Sequence, residues 1–324
     1  MPQPKGFVNP DYPRHICKLQ KALYGLKQSP RAWFNKLKSV LESWNFCRAK
    51  SDTSLFFKQN GNDEVILLIY VDDINNIEIE QLVQDLNSTF ALKDLGQLNF
   101  FLGIEVTRNE NTLVLSQTKY LKELLAKFDL QNCNGADTPL ATTDKLSKFL
   151  ETKYSDPTQY RRTIGGLQYV VLTRPEIAYA VNKLSQFMAS PLQPHWLACK
   201  RVLRYLKETV DYGLSFRKSD SFDLIAYSDA DWGSDLDDRR STSGYCIYLG
   251  DNLVSWSSKK QSVVSKSSAE FEYRAMALAC AEITWICSVI KEINVKLNCT
   301  PLLLSGSSDC HKSSSSLKNQ THRN

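Results

Sequence analysis

The chain of 324 residues lacks a paired-cysteine framework: it has nine Cys, an odd number, with no CxxC spacing and no His/Cys cluster. That excludes a structural zinc module and points to a reducing compartment rather than a disulfide-stapled secreted domain. Cys280 and Cys287, in an apolar stretch, read as core thiols. No apolar segment opens the chain, so no signal peptide is expected. No apolar run approaches the length of a membrane span, so no membrane partner is expected either. The expected location is intracellular, cytoplasmic or nuclear. No internal repeat is present.

What the sequence does have is charge in blocks. Residues 1–60 carry eleven Lys/Arg against three Asp/Glu, residues 61–110 two against ten, and residues 145–218 thirteen against five. Basic blocks flanking an acidic one suit a polyanion track beside a carboxylate metal site. Solvated faces would give the same pattern.

The most informative tetrapeptide is Tyr70-Val71-Asp72-Asp73, which ends the apolar run Val65–Ile69. Burying charge is costly unless it is paired or metal-bound. Two carboxylates at the tip of a strand-turn-strand can hold Mg²⁺, which prefers oxygen ligands. Two-metal sites of this kind clamp the attacking and leaving oxygens of phosphoryl transfer. A solvated hairpin turn is the alternative.

The periodicities predict a mixed order of helices and strands. Residues 1–15 are Pro-rich and irregular, and Arg31–Trp44 is an amphipathic helix with Trp33, Phe34, Leu37, Val40 and Leu41 on one face. Leu55–Phe57 and Val65–Val71 form two strands around a turn at residues 60–63, and Ile79–Phe90 is a helix. Leu98–Val106 and Thr112–Leu115 make a hairpin, followed by a helix over Tyr120–Phe128. Residues 131–157 read as a linker. Tyr160–Leu172, Pro175–Met188 and the basic amphipathic His195–Glu208 are helical; the last presents Lys200, Arg201 and Arg204 opposite Trp196, Leu203 and Leu206. From Phe222 the character shifts to three short strands (Leu224–Ser228, Gly244–Leu249, Leu253–Ser257) with a tight turn at Asp251-Asn252. A long helix over Ser267–Ile293 and a strand at Leu302–Leu304 follow, and residues 305–324 are polar and aperiodic, as in a disordered tail.

Taken together, several stretches resemble a copia-type retrotransposon Pol polyprotein, from reverse transcriptase into ribonuclease H. They are Cys17–Trp33, Tyr70–Asp73, Leu92–Gly96, Phe101–Glu105, Thr173–Ile177, Arg204–Lys207, Tyr227–Trp232, Arg239–Tyr245 and Ser267–Glu270, in the family's order. The resemblance implies an α/β (α+β) chain: a partial reverse-transcriptase palm and thumb over 1–130, a linker and helical connection region over 131–221, and an incomplete ribonuclease H-like mixed-sheet domain over 222–304. It implies that Asp72 and Asp73 are palm carboxylates binding catalytic Mg²⁺. Lys27, Gln28, Ser29 and Arg31 would back the template and incoming nucleotide, and the hairpin around Gly103 would grip the primer end. Lys200, Arg201 and Arg204 would add non-specific contacts to RNA, DNA or RNA–DNA hybrid. Asp229 would be the first ribonuclease H acid and Glu270 the second. The plainer alternatives are a solvated helix start for Lys27 and Arg31 and a first-turn helix charge for Glu270. Asp231, Asp235, Asp237 and Asp238 read as a solvated acidic turn.

Three departures from the family pattern set the expectation for activity. A further palm Asp, which the family places before the segment resembling Met1–Tyr12, is missing. The return strand after Asp73, Ile74-Asn75-Asn76-Ile77, is poor in strand formers. Gly306 stands where the family has its third ribonuclease H acid, with Asp309 a possible substitute. The expected product is a fragment truncated at both ends, catalytically inactive, with residual nucleic-acid binding. The alternatives are a surviving Mg²⁺-dependent ribonuclease H and a host-retained binding module without catalysis.

Overall fold

The computed structural model describes residues 3–18, 26–60, 63–70, 73–75, 86–87, 90, 98–141, 146–149, 152–219 and 221–306. The chain divides into two compact units, Met1–Asp94 and Leu95–Asn324, and its architecture is mixed α/β.

In the first unit, helix α1 (Ser29–Ser43) starts two residues earlier than its apolar face suggests, because Pro30 fits the first turn, where no backbone N–H is needed. It buries Leu37 and Leu41 in a core with Phe46, Phe56, Leu67 and Ile69. The sheet beside it has the order β1-β2-β3-β4 (Cys47–Arg48, Leu55–Asn60, Asp63–Tyr70, Asp73–Asn75), all antiparallel. The Asn-containing return segment does form a strand: Asn75 pairs with Leu68 and Asp73 with Tyr70. Ladder hydrogen bonds depend on the backbone, which Asn supplies as well as any residue despite its low strand propensity. The expected helix over Ile79–Phe90 falls almost wholly outside the described residues.

The second unit opens with strands β5 (Phe100–Phe101), β6 (Ile104–Arg108) and β7 (Thr112–Ser116), then helix α2 (Thr118–Ala126). Leu102 and Gly103 form a second tight turn inside the expected strand, with φ of 47° and 76°. Phe101 therefore pairs back onto Ile104. The fourth strand of this sheet, β8 (Gly213–Arg217), arrives from about a hundred residues downstream and pairs with β7. The sheet thus joins residues on both sides of position 130.

Helices α3 (Pro157–Val170), α4 (Ala178–Ser185) and α5 (Gln193–Glu208) pack with α2 around Tyr160, Ile164, Leu167, Leu184, Val202 and Leu206. Arg174, at 1% exposure, locks this bundle. Its guanidinium donates to Thr209 O and to Glu176, and it lies over the rings of Tyr205 and Tyr212. Gly165 and Gly166 interrupt α3, and each costs helix stability of about 1 kcal/mol relative to Ala. Gly166 has a packing reason: a Cβ there would meet Leu124 Cδ1 at 2.9 Å and Tyr120 Oη at 3.3 Å. Gly166→Ala is therefore expected to destabilise the chain by about 1 kcal/mol, overpacking against the buried Leu124 outweighing the gain in helix propensity, measured by denaturant unfolding.

The remaining sheet has the order β11-β10-β9-β12: Asn252–Lys260, Thr242–Leu249, Leu224–Ala230 and Leu302–Ser305. The first three strands are antiparallel, and β12 lies parallel to β9 with Ser305 opposite Ser228. Helix α6 (Ser268–Glu292) packs on this sheet through Ile286 and Ile290 against Leu224, Ala226 and Ile247. Contrary to the expectation that no segment is long and apolar enough, α6 could cross a membrane by length and composition alone. Phe271, Ala275, Met276 and Ala279 are buried as well. Cys280 and Cys287 are only half-buried, and burial raises both thiol pKa values.

Candidate functional site

At the C-terminal end of β9, Asp229 is exposed and pairs in register with Gly244 of β10. Residue 306 follows β12 directly, and a Cβ built on Gly306 would lie 3.6 Å from Asp229 Oδ1. The parallel pairing of β12 with β9 makes this neighbour relation, which sequence distance hides.

The second carboxylate that reaches this place is Glu272. Its pKa is raised by burial and by the nearby charge of Asp229, while the Ser305 hydroxyl, 3.4 Å from Glu272 Oε2, acts in the other direction. Glu270, the residue expected from the sequence, is engaged elsewhere. Its carboxylate accepts from the Lys266 backbone N–H at 2.8 Å and pairs with Arg274 at 2.8 Å. The Lys266 N–H, then Arg274, hold its pKa below the usual value. Residues two apart on a helix point about 200° apart, so only one of the pair can face the sheet. A signal for the right choice was present: Glu272 extends the buried stripe Met276, Ala279, Ile286, Ile290 by one turn, whereas Glu270 sits four before Arg274 and three after the capping Ser267.

The two environments predict different responses. For Glu272 the folded-state pKa is raised, so ionisation costs stability above the ordinary carboxylate range and the cost vanishes below it. Glu272→Gln is expected to raise Tm by about 2–4 °C at pH 7 and not at pH 3, read by calorimetry.

Mg²⁺ demands near-octahedral oxygen coordination, and a two-metal centre needs carboxylates on both ions. Among the described residues no three His, Cys, Asp or Glu side chains converge, and Gly306 offers no oxygen where a side chain would meet Asp229. Asp229 and Glu272 therefore do not fit a two-metal centre by themselves. Asp309 lies outside the described residues.

The acidic loop between β9 and β10 is not a solvated turn. Asp235 is 3% exposed and ion-paired with both Lys183 of α4 and Lys260 of β11 at 2.9 Å. Asp237 accepts from Ser147 Oγ and the Lys148 backbone. Asp238 pairs with Lys260, and Asp231 accepts from the Thr242 backbone N–H. Groups brought from other segments, lysines for Asp235 and Asp238 and hydroxyl or backbone N–H donors for Asp237 and Asp231, account for the difference.

Other expected contact residues fare unevenly. Lys27, Gln28 and Arg31 are exposed at the start of α1, but Ser29 is buried. Asp73 begins β4 opposite Tyr70; Asp72 lies outside the described residues. Gly103 occupies its turn with positive φ, and a Cβ there would come within 2.6 Å of Tyr169 Oη. Arg201 donates to Thr138, and Arg204 to the carbonyls of Asn134 and Gly135, so both pin the expected linker rather than face solvent freely. Lys200 lies over the Trp196 ring.

A family model described as reverse transcriptase (RNA-dependent DNA polymerase) matches residues 1–142. The chain is 46% identical over 94% of its length to the retrovirus-related Pol polyprotein from transposon RE1 of Arabidopsis thaliana, covering 21% of that protein. It is 37% identical over 91% of its length to the corresponding polyprotein from transposon TNT 1-94 of Nicotiana tabacum, covering 23%. A transposon Ty5-1 protein of Saccharomyces cerevisiae is 32% identical over 84% of the chain, which covers 91% of it. The chain thus spans about a fifth of the length of the two plant polyproteins.

Proposed function

The chain belongs to the copia-type retrotransposon Pol polyproteins and carries their reverse transcriptase segment, and from that premise we propose that it binds RNA, DNA or RNA–DNA hybrid without cleaving it. Residues 222–304 are the ribonuclease H-like part in this reading. Three antiparallel strands, a fourth parallel to the first, and a long helix over one face support that assignment. Asp229 and Glu272 are the acids that would hold Mg²⁺ there, with Glu272 taking the role expected of Glu270. In the reverse-transcriptase part, the pairing of Tyr70 with Asp73 at the ends of β3 and β4 supports reading Asp73 as a palm carboxylate.

The observation that carries the non-catalytic reading is Gly306. Its Cβ position abuts Asp229, and glycine supplies no ligand there. Losing one ligand of a metal cluster removes most of the rate, because such residues act as a unit.

The test is direct. The full chain is expected to shift a fluorescent 20-base-pair RNA–DNA hybrid in anisotropy, with log affinity falling linearly against log salt. In Mg²⁺ or Mn²⁺ the same hybrid should stay intact. Cleavage that disappears in Glu272→Gln would overturn the proposal in favour of a surviving nuclease, the reading that the approach of Glu272 to Asp229 favours.

A further inference from the structure

Gly165 has no packing reason to be glycine. A Cβ added there would meet nothing within 4 Å, whereas its neighbour Gly166 is fixed by Leu124. Gly165 therefore leaves a stretch of helical backbone bare at the surface of α3. It lies on an exposed stripe with Thr158, Arg161, Arg162 and Gln168, spaced to share one face. The whole helix, Pro157–Val170, contains no Asp or Glu. The acid just before it, Asp156, is exposed but engaged as the cap, accepting from the Gln159 N–H at 2.8 Å.

The stripe continues into a surface already described. Tyr169, on the same helix, abuts Gly103, so the tip of the β5–β6 hairpin, with Leu102 and Phe100 exposed, lies beside the C-terminal half of α3.

We propose that the outer face of α3 is a track for the sugar–phosphate backbone of a nucleic-acid duplex. Glycine lets a ligand backbone approach a helix closely, and two guanidiniums one turn before it, Arg162 and Arg161 (whose Nη1 also donates to Met188 O at 3.2 Å), match phosphate geometry. The residues of the stripe itself, Thr158 to Gln168, offer no aromatic ring, and the exposed Phe100 stands only at its hairpin end, so the row of stacking platforms that single strands use is lacking and a duplex is the better occupant. The inference rests on nucleic-acid binding by this chain and adds the place and the form of the ligand. It lies outside residues 1–142, which the reverse transcriptase model matches.

The experiment compares the full chain with Gly165→Ala and Arg162→Gln, using anisotropy of a labelled 20-base-pair RNA–DNA hybrid and a scan of Tm. Gly165→Ala should raise Tm, because alanine is the better helix former, while weakening hybrid binding about fivefold through loss of close backbone approach. A merely structural glycine would not move the two readouts in opposite directions. Arg162→Gln should flatten the salt dependence by about 0.9 in log affinity per log salt, one phosphate contact on a duplex. If the parent binds the hybrid but both variants bind equally well, this track is wrong and the nucleic-acid reading stands. A parent chain that binds no hybrid at low salt sinks both. Equal competition by polyglutamate at matched charge would reassign the face to an acidic protein.

Discussion

Gly306→Asp is expected to turn a binding chain into a metal-dependent nuclease. The φ of Gly306 lies outside the left-handed region, and the new Cβ would meet Asp229 Oδ1 at an ordinary contact distance of 3.6 Å. The substitution therefore adds a carboxylate beside Asp229 and Glu272 without backbone strain. Without metal, three converging carboxylates repel, and the variant should be less stable than the parent by about 1 kcal/mol at pH 7. Mg²⁺ should reverse the sign, since a ligand that binds only the folded state stabilises it by about 2.7 kcal/mol at a hundredfold excess over Kd. Hybrid cleavage should rise by about a hundredfold or more over the parent, as expected when a missing member of a cooperative site is restored. Gly306→Asn, equal in size and neutral, serves as the control. No Mg²⁺-dependent gain in Tm and no gain in cleavage would show that the missing side chain at position 306 is not what limits the site.

Removing the Asp235 carboxylate should have the largest effect on stability. Asp235→Asn leaves Lys183 and Lys260, at 12% and 15% exposure, facing each other without their shared anion. Breaking a buried pair from one side costs about 3–5 kcal/mol, or about 10 °C in Tm for a unit of this size. Asp238→Asn removes a carboxylate that is about one-third exposed and leaves Lys260 its pair with Asp235, so it should cost about 1 kcal/mol or less. Burial pushes the Asp235 pKa up, but hydrogen bonds from Lys183 and Lys260, together with the charge of Lys183, outweigh it and hold the group well below the usual carboxylate range. A pKa depressed in the folded state contributes stability fully above the unfolded value and loses it as pH falls toward the folded one. The gap between parent and Asp235→Asn should accordingly be flat from pH 5 to 8 and close below about pH 4. A gap that stays constant at pH 3 would mean that Asp235 acts by shape rather than charge.

The elements read best from the sequence are those whose own side chains decide them. The apolar face of α1, the strand patterns of β9 to β11 and the capped start of α6 needed no distant partner to be recognised. The elements missed depend on partners far along the chain. β8 is five residues long with one buried side chain, Leu214, and becomes a strand because β7 offers it a free edge. The Leu102–Gly103 turn was hidden inside an apolar run because a leucine at positive φ carries no turn signal. Arg201 and Arg204 looked like a phosphate-binding face because nothing in their helix shows that residues 134–138 fold back over it.

The amino-acid order alone determined the family, the succession of helices and strands, and the type of chemistry at stake, since motif spacing and local periodicity are written in neighbouring residues. Tertiary structure decided which glutamate faces Asp229, that Gly306 lies at its side, and that Asp235 of the acidic loop is buried between two lysines. Those outcomes turn on through-space distances between groups up to about eighty positions apart along the chain, which only strand pairing and helix rotation fix.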